Sequence, residues 1–219
     1  MNASHPVRAL RRIAHSLLLA AAAAAIGAGA AAAPLTGTSD AVRSVAGWIA
    51  ASGDAHDRPF AIVDKRNASL FVFDSSGVLI GSSPVLLGLA RGDDSSPGIG
   101  TRPLSAIRPA ERTTPAGRFE AAPDINAAGH AIVWIDYAAA ISMHAVVPGS
   151  PTDHRLQRLA TPSPDDNRIS YGCINIPAAF FTDVVQPDFA KGGIVYILPE
   201  VRPLRDVFRM GAGRASGQP

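Results

Sequence analysis

Cysteine occurs once in the 219 residues, at Cys173. A lone thiol cannot close an internal disulfide, so it is a small buried hydrophobe, an intermolecular link or a reactive group. There is no C-x-x-C pair and no tight His/Asp/Glu cluster at metal-ligand spacing, so neither a metal nor a cofactor is expected. The stretches Gly88-Leu89-Ala90-Arg91-Gly92 and Gly98-Ile99-Gly100 lack the strand-to-helix setting of a phosphate loop and read as loop punctuation. Aromatic residues are scarce at 6%, charged residues reach only 17%, and no internal repeat is visible. The 47% apolar share still excludes a disordered polyelectrolyte, and the length suits one domain or at most two.

Acidic residues are absent from the first 39 positions, where Arg8, Arg11 and Arg12 precede an apolar run over 16–33. A basic start, an apolar run and a small-residue exit describe an export signal peptide over residues 1–33, with an uncleaved anchor helix as the alternative. Pro34 disfavours a cut directly after Ala33, and Arg11-Arg12 lacks the surroundings of a twin-arginine signal. The periplasm or cell envelope is the expected location. Without those three arginines, 17 of the 20 basic residues face 18 acidic ones, formally −1. No footprint for nucleic acid is left. The remaining stretch, about 185 residues, is long enough for one core without staples. A monomer is expected.

Behind Ser39 or Thr38 as cap, Val42, Val45, Ala46 and Ile49 recur at helical spacing over 39–51. The period then switches to two. Strands are predicted at Phe60–Asp64, Leu70–Asp74, Val78–Ile80 and Val85–Leu87, an antiparallel meander turning at 65–68 and 74–77. Residues 88–117 form a long loop, a length that is often a functional rim. Strand character returns at Arg118–Ala121, Ile132–Ile135 and Ile141–Val147. A second polar excursion spans Pro148–Arg168, with one helical turn at His154–Leu159. Pro177 suits the first position of a helix running through Phe180, Phe181, Val184 and Val185 and stopping near Pro187. Gly193–Leu198 is a last strand, and the tail from Arg202 reads as a frayed cap. The sum is a mainly β fold with a few short helices. Its predicted divisions are a leader (1–33), a helix and linker (34–59), a catalytic domain (60–199) and a tail (200–219).

The chemistry concentrates in Ser170-Tyr171-Gly172-Cys173-Ile174-Asn175. A thiol needs a basic partner to ionise near neutral pH, and donors to hold the oxyanion formed on attack. Gly172 allows a tight turn in which successive N–H groups converge, and a helix start after Pro177 would favour negative charge. This segment resembles the catalytic motif of L,D-transpeptidases, the YkuD-type domain of bacterial cell walls. The family pattern is Ser/Thr-His-Gly-Cys, a hydrophobic residue, then Asn or Arg. Ser170, Gly172, Cys173, Ile174 and Asn175 match it, and Tyr171 stands where a second histidine is usual. Thr114-Pro115-Ala116-Gly117-Arg118-Phe119 resembles the family's Thr-Pro-x-Gly-x-Phe segment. Ile141-Ser142-Met143-His144 resembles the strand that delivers the catalytic histidine. The hairpin Val63–Gly77 and the strand Gly193–Leu198 fall in family order, so the likeness spans residues 60–199.

The resemblance implies a β-sandwich or barrel-like domain that works without a cofactor on peptidoglycan stem peptides. In it the Cys173 thiolate, generated by a histidine, attacks the diaminopimelate–D-alanine bond, releases D-alanine, and passes the acyl group to an amine. That amine belongs to a second diaminopimelate or to a wall-attached protein. His144 is the base expected from its strand, with Ile141 and Met143 on the opposite face. His154 competes by its spacing from Ser170 but sits in a polar loop. Backbone N–H groups of Tyr171, Gly172 and Cys173 are expected at the oxyanion, Ser170 and Asn175 order the motif, and Arg155, Arg158 and Arg168 are candidates for stem carboxylates. Two other readings stay open: hydrolysis of the same thioester, and a silent wall-binding module in which Tyr171 marks decay.

Overall fold

The computed structural model describes residues 37–147 and 149–210. The predicted leader (1–33) and the chain end (211–219) lie outside the described residues. Helix α1 (Asp40–Ser52) starts where Ser39 Oγ accepts the Val42 N–H at 3.2 Å, and stops at Gly53 in the left-handed region, φ 68°. Val42, Val45 and Ile49 form its buried stripe.

Ten strands follow: β1 (Phe60–Asp64), β2 (Ser69–Phe73), β3 (Leu79–Pro84), β4 (Leu87–Gly88), β5 (Gly117–Ile125), β6 (Ala131–Asp136), β7 (Ile141–Ala145), β8 (Arg168–Ser170), β9 (Ile174–Ile176) and β10 (Gly193–Ile197). Eight of them make one sheet in the order β3-β2-β1-β10-β5-β6-β7-β9, while β4 and β8 pair separately. The β1–β10 and β7–β9 pairs are parallel, and the other pairs within the large sheet are antiparallel. Just beyond β3, Leu86 exchanges two backbone hydrogen bonds with Asn175 of β9, each 2.9 Å. The two edges of the sheet are thereby joined, which rounds it into a nearly closed, barrel-like shape and leaves few unpaired edge groups.

Both faces of β1, β2 and β10 are buried. Ala61, Val63, Leu70, Val72, Val195 and Ile197 point into the main core. Phe60, Ile62, Phe71, Phe73, Ile194 and Tyr196 point outward into a second core covered by α1 and by α5 (Leu204–Val207). Phe60 and Phe73, cross-strand partners, stack at 4.6 Å between ring centroids.

Several elements differ from the sequence expectation. β8 and β9, three residues each, were not predicted, because so short a run carries no period. β5 runs four residues beyond Ala121 through exposed positions that include Pro123 and Asp124. The helix after Pro177 ends at Asp188, next to Pro187 as expected, but it is not one regular α-helix. α3 (Ala178–Phe180) passes through a π turn (Phe181–Val185) into α4 (Gln186–Asp188), which contains Pro187. In that wider turn Gln186 N–H reaches back to Phe181 O, so the ladder already departs from its usual spacing where proline lacks a donor. Nor is the segment from Arg202 frayed as far as Met210. Phe208 is buried in the outer core, and Arg202 N–H donates to Asp93 Oδ2 at 2.7 Å.

The long 88–117 loop contains three 3-10 turns, and Ile99 and Ile107 insert into the main core. It is fastened by a buried charge cluster. The Lys65 ammonium donates to Asp93 Oδ1 and to Thr114 O, each 2.9 Å, and to Gly92 O. Arg168 donates to Glu200 Oε2 at 2.7 Å and to Lys65 O at 2.6 Å. Among the described residues, no helix is long and apolar enough to cross a membrane.

Candidate active site

Strand pairing brings the predicted residues together. In the parallel β7–β9 ladder His144 stands beside Asn175, and Met143 beside Ile174. Ile174, Ile176, Ile141 and Met143 all enter the main core. Period-two alternation therefore turns Ser142, His144 and Asn175 to the other face. Cys173 precedes β9 directly and is half-buried at the edge of that group.

The sulfur has three polar neighbours. Ser142 Oγ donates to it at 3.6 Å, the thiol hydrogen points to Ala140 O at 3.5 Å, and the His144 ring is a hydrogen-bond partner. Burial pushes the Cys173 thiol up, but the hydrogen bond and positive charge of His144, with help from Ser142, outweigh it and hold the thiol below its ordinary value. Conversely, burial lowers the His144 pKa, while Cys173 and the Ala145 carbonyl more than compensate and raise it. The two shifts are halves of one coupled titration, in which each group eases the charging of the other.

The ring is oriented from both sides. His144 Nδ1 lies 2.8 Å from Ala145 O, which can only accept, so Nδ1 carries the hydrogen and Nε2 the lone pair. Asn175 Nδ2 stands 3.3 Å from Nε2 and 3.3 Å from Cys173 O. Arg155 Nη1 in turn donates to Asn175 Oδ1 at 2.8 Å, which fixes the amide's sense. Asn175 is only 1% exposed, so its rotation is closed off by packing. A cavity of about 510 Å³ opens beside His144, bordered by His130, Val147, Phe181 and Gln186.

Ser170 and Gly172 shape the turn before Cys173. Ser170 Oγ donates to Cys173 O at 2.6 Å and accepts the Gly172 N–H at 3.0 Å. Gly172 N–H, one of three donors expected for an oxyanion, is thus already engaged. Gly172 has φ 132°, and a Cβ there would lie 2.7 Å from both Ile141 Cδ1 and Thr113 O, so only glycine fits.

Not every expected residue is at the site. Arg158 braces its own loop through Asp153 O and Asp166 O. Arg168 is a correction: its side chain is 7% exposed and committed to Glu200 and Lys65 O, so it belongs to the buried cluster and has no open face for a substrate. The helix start after Pro177 is separated from Cys173 by β9. His154 is exposed at the head of α2 (Arg155–Ala160), away from the strand face.

Three contributors went unnoticed in the sequence. Ser142 was legible, since it shares a strand face with His144 two positions on. Thr114 was not: its hydroxyl donates to Gly172 O at 2.8 Å and accepts Gly88 N–H at 2.9 Å, a bond across 58 positions. Arg112 stacks its guanidinium over the Tyr171 ring, 4.0 Å from the centroid, and so places a cation where the family pattern has a second histidine.

No family model matches the sequence, and no curated protein does. Solved structures do. The chain is similar to L,D-transpeptidase catalytic domains. One neighbour is the helical cell shape determining protein Pgp2 from Campylobacter jejuni, at 16% identity over 71% of this chain and 55% of that one, TM-score 0.45. A second is the LD transpeptidase LdtMt1 solved in complex with imipenem, at 15% identity over 64% of this chain and 58% of that one, TM-score 0.37. A third is the catalytic domain of the E. faecium L,D-transpeptidase, at 18% identity over 65% of this chain and 98% of that one, TM-score 0.36. The chain therefore spans 55% and 58% of the length of the first two.

Proposed function

We propose that this protein is an exported, cysteine-dependent acyltransferase acting on peptidoglycan stem peptides. The observation that carries the reading is the coupled pair itself, a thiol held below its ordinary pKa by an imidazole whose tautomer is set by Ala145 O and Asn175. Nothing about a structural cysteine requires such a partner.

In the first half-reaction the Cys173 sulfur attacks the carbonyl carbon of the diaminopimelate–D-alanine bond, and its proton resides on His144 Nε2. The oxyanion is held by the N–H groups of Cys173 and Tyr171, since Gly172 N–H is taken by Ser170. One such donor is typically worth about 3 kcal/mol. The C–N bond then breaks, His144 returns the proton to the departing D-alanine amine, and a thioester remains. In the second half-reaction an acceptor amine loses a proton to His144, its nitrogen bonds to the carbonyl, and the C–S bond breaks to regenerate the thiol. Arg155, tied to Asn175, keeps one guanidinium edge near this path.

Purified protein incubated with tetrapeptide-stem muropeptides should release D-alanine and form cross-linked dimers visible by mass spectrometry. A carbapenem should add one acyl mass to Cys173. Full activity in Cys173→Ala would overturn the proposal. Tripeptides without dimers would assign the thioester to water as acceptor.

A further inference from the structure

The face that carries the nucleophile does not end at His144. Register places Trp134 of β6 opposite Ser142 of β7, and Ile132 opposite both Asp124 of β5 and His144. Paired residues share a face, so Asp124, Trp134, Ser142, His144 and Asn175 lie on one surface. Trp134 Nε1 donates to Asp124 Oδ2 at 2.9 Å, which fixes the indole plane. The Tyr137 ring lies against it, 4.9 Å between centroids and tilted by 32°. Tyr137 is 66% exposed, so the ring face turned away from the indole is open to solvent. The turn that begins at Tyr137 reaches the nucleophile, because Ala140 N–H donates to Tyr137 O and Ala140 O accepts the Cys173 thiol at 3.5 Å.

Scattered exposed aromatics are ordinary. This pair differs in being rigidly backed, open on one side and adjacent to the reactive sulfur. We infer that Trp134 and Tyr137 form a carbohydrate platform that seats the glycan strand bearing the stem peptide, its ligand a β-linked chain of 2-acetamido-hexopyranoses. The inference rests on the peptidoglycan reading above and names a second contact for the same substrate.

The chemistry fits. A pyranose with equatorial substituents presents a flat patch of slightly positive C–H groups, which suits the negative face of an aromatic ring. Asp124, held against the indole, can accept O–H and N–H donors, and its charge disfavours an anionic ligand such as a nucleic acid. The distance fits as well. Cross-strand partners stand about 5 Å apart at Cβ, and Ser142 Oγ is 3.6 Å from the sulfur, so the platform begins roughly 10 Å from Sγ. Three extended residues cover about that span, and three stem residues separate the sugar from the bond attacked.

Chitotetraose titrated into full-length Cys173→Ala protein, followed by tryptophan fluorescence and calorimetry, tests the platform without turnover. The expected result is saturable binding that weakens at least tenfold in Tyr137→Ala and is retained in Tyr137→Phe, which keeps the ring face. Should Tyr137→Ala lose its fold, Tyr137→Leu, apolar but without a π face, carries the same expected loss. Absence of saturable binding, or equal binding in the ring-deleted variant, overturns the platform. Equal binding of cellotetraose, which lacks the acetamido group, overturns the assignment to an amino-sugar chain. Carbapenem acylation of Cys173 in the unsubstituted protein reads the thiol separately, so failure of the platform and failure of the acyltransferase reading give different results.

Discussion

His144 and Asn175 stand side by side in parallel register, with Asn175 Nδ2 3.3 Å from His144 Nε2. With Ala145 O taking the Nδ1 hydrogen, Nε2 is the acceptor nitrogen of the ring, and the Asn175 amide stands against it.

Cysteine alkylation should report the pairing. Burial alone would raise the Cys173 pKa, and His144 is the main reason it falls. In His144→Ala burial is opposed only by the weaker Ser142 contacts, so the inflection of the iodoacetamide pH–rate profile should move up and the rate at neutral pH should drop. His154→Ala, changing an exposed loop residue, should leave the profile in place. A profile shifted by His154→Ala and unmoved by His144→Ala would refute the assignment.

Thr114→Val should lower both stability and turnover. The hydroxyl satisfies Gly172 O and Gly88 N–H in a fully buried position, and each orphaned group costs about 1–3 kcal/mol. Because a trans peptide opposes its C=O and N–H, releasing Gly172 O also frees the Cys173 N–H from its aim. The urea midpoint and kcat should both fall, with Thr114→Ser restoring most of each.

Gly172→Ala should abolish acylation by a carbapenem. Its Cβ would press on Ile141 Cδ1 and Thr113 O in a backbone conformation that non-glycine residues avoid, costing on the order of 1–3 kcal/mol and moving the turn. Intact mass after carbapenem treatment and the thermal midpoint separate lost reactivity from lost folding.

Acid should loosen the cluster under the long loop. Burial raises the Asp93 pKa, but the backbone N–H groups of Arg202 and Glu200 and the Lys65 ammonium overcome this and hold it at about 2. A carboxylate whose folded pKa is depressed contributes stability above its unfolded value, and that contribution is lost as pH falls from about 4 towards 2. For Asp93 the loss is about 2 kcal/mol, and Asp93→Asn should flatten the urea-midpoint curve in that window. Lys65→Met, which removes the ammonium between Asp93 and Glu200 (0% and 2% exposed) and leaves them Arg168 and backbone N–H groups as near partners, should cost about 3 kcal/mol at pH 7.

Much of the molecule was legible before any coordinates. The helical spacing of Val42, Val45 and Ile49 placed α1, and short apolar runs bounded by turn residues placed β1, β2 and β10, each within a residue or so, because burial of one helix stripe or of a whole strand leaves its mark in the local sequence. β8 and β9 were illegible, since three residues do not show a period and their pairing is with distant strands. Arg168 was misread for a related reason. A charge in a polar stretch reads as solvated, and only its distant partner Glu200 shows that it is buried.

The sequence by itself determined which groups could build a reactive site: one thiol, the glycine before it that permits the turn, and a histidine on an alternating strand. Tertiary structure decided how they meet. It put His144 beside Asn175 and Cys173 and His154 on an exposed turn, turned Gly172 N–H inward to Ser170, and set Thr114 beneath the turn and Trp134 and Tyr137 beside it. Period and composition are local properties of the chain, whereas an ionised sulfur depends on groups contributed by different strands. Their distances exist only once the sheet has closed.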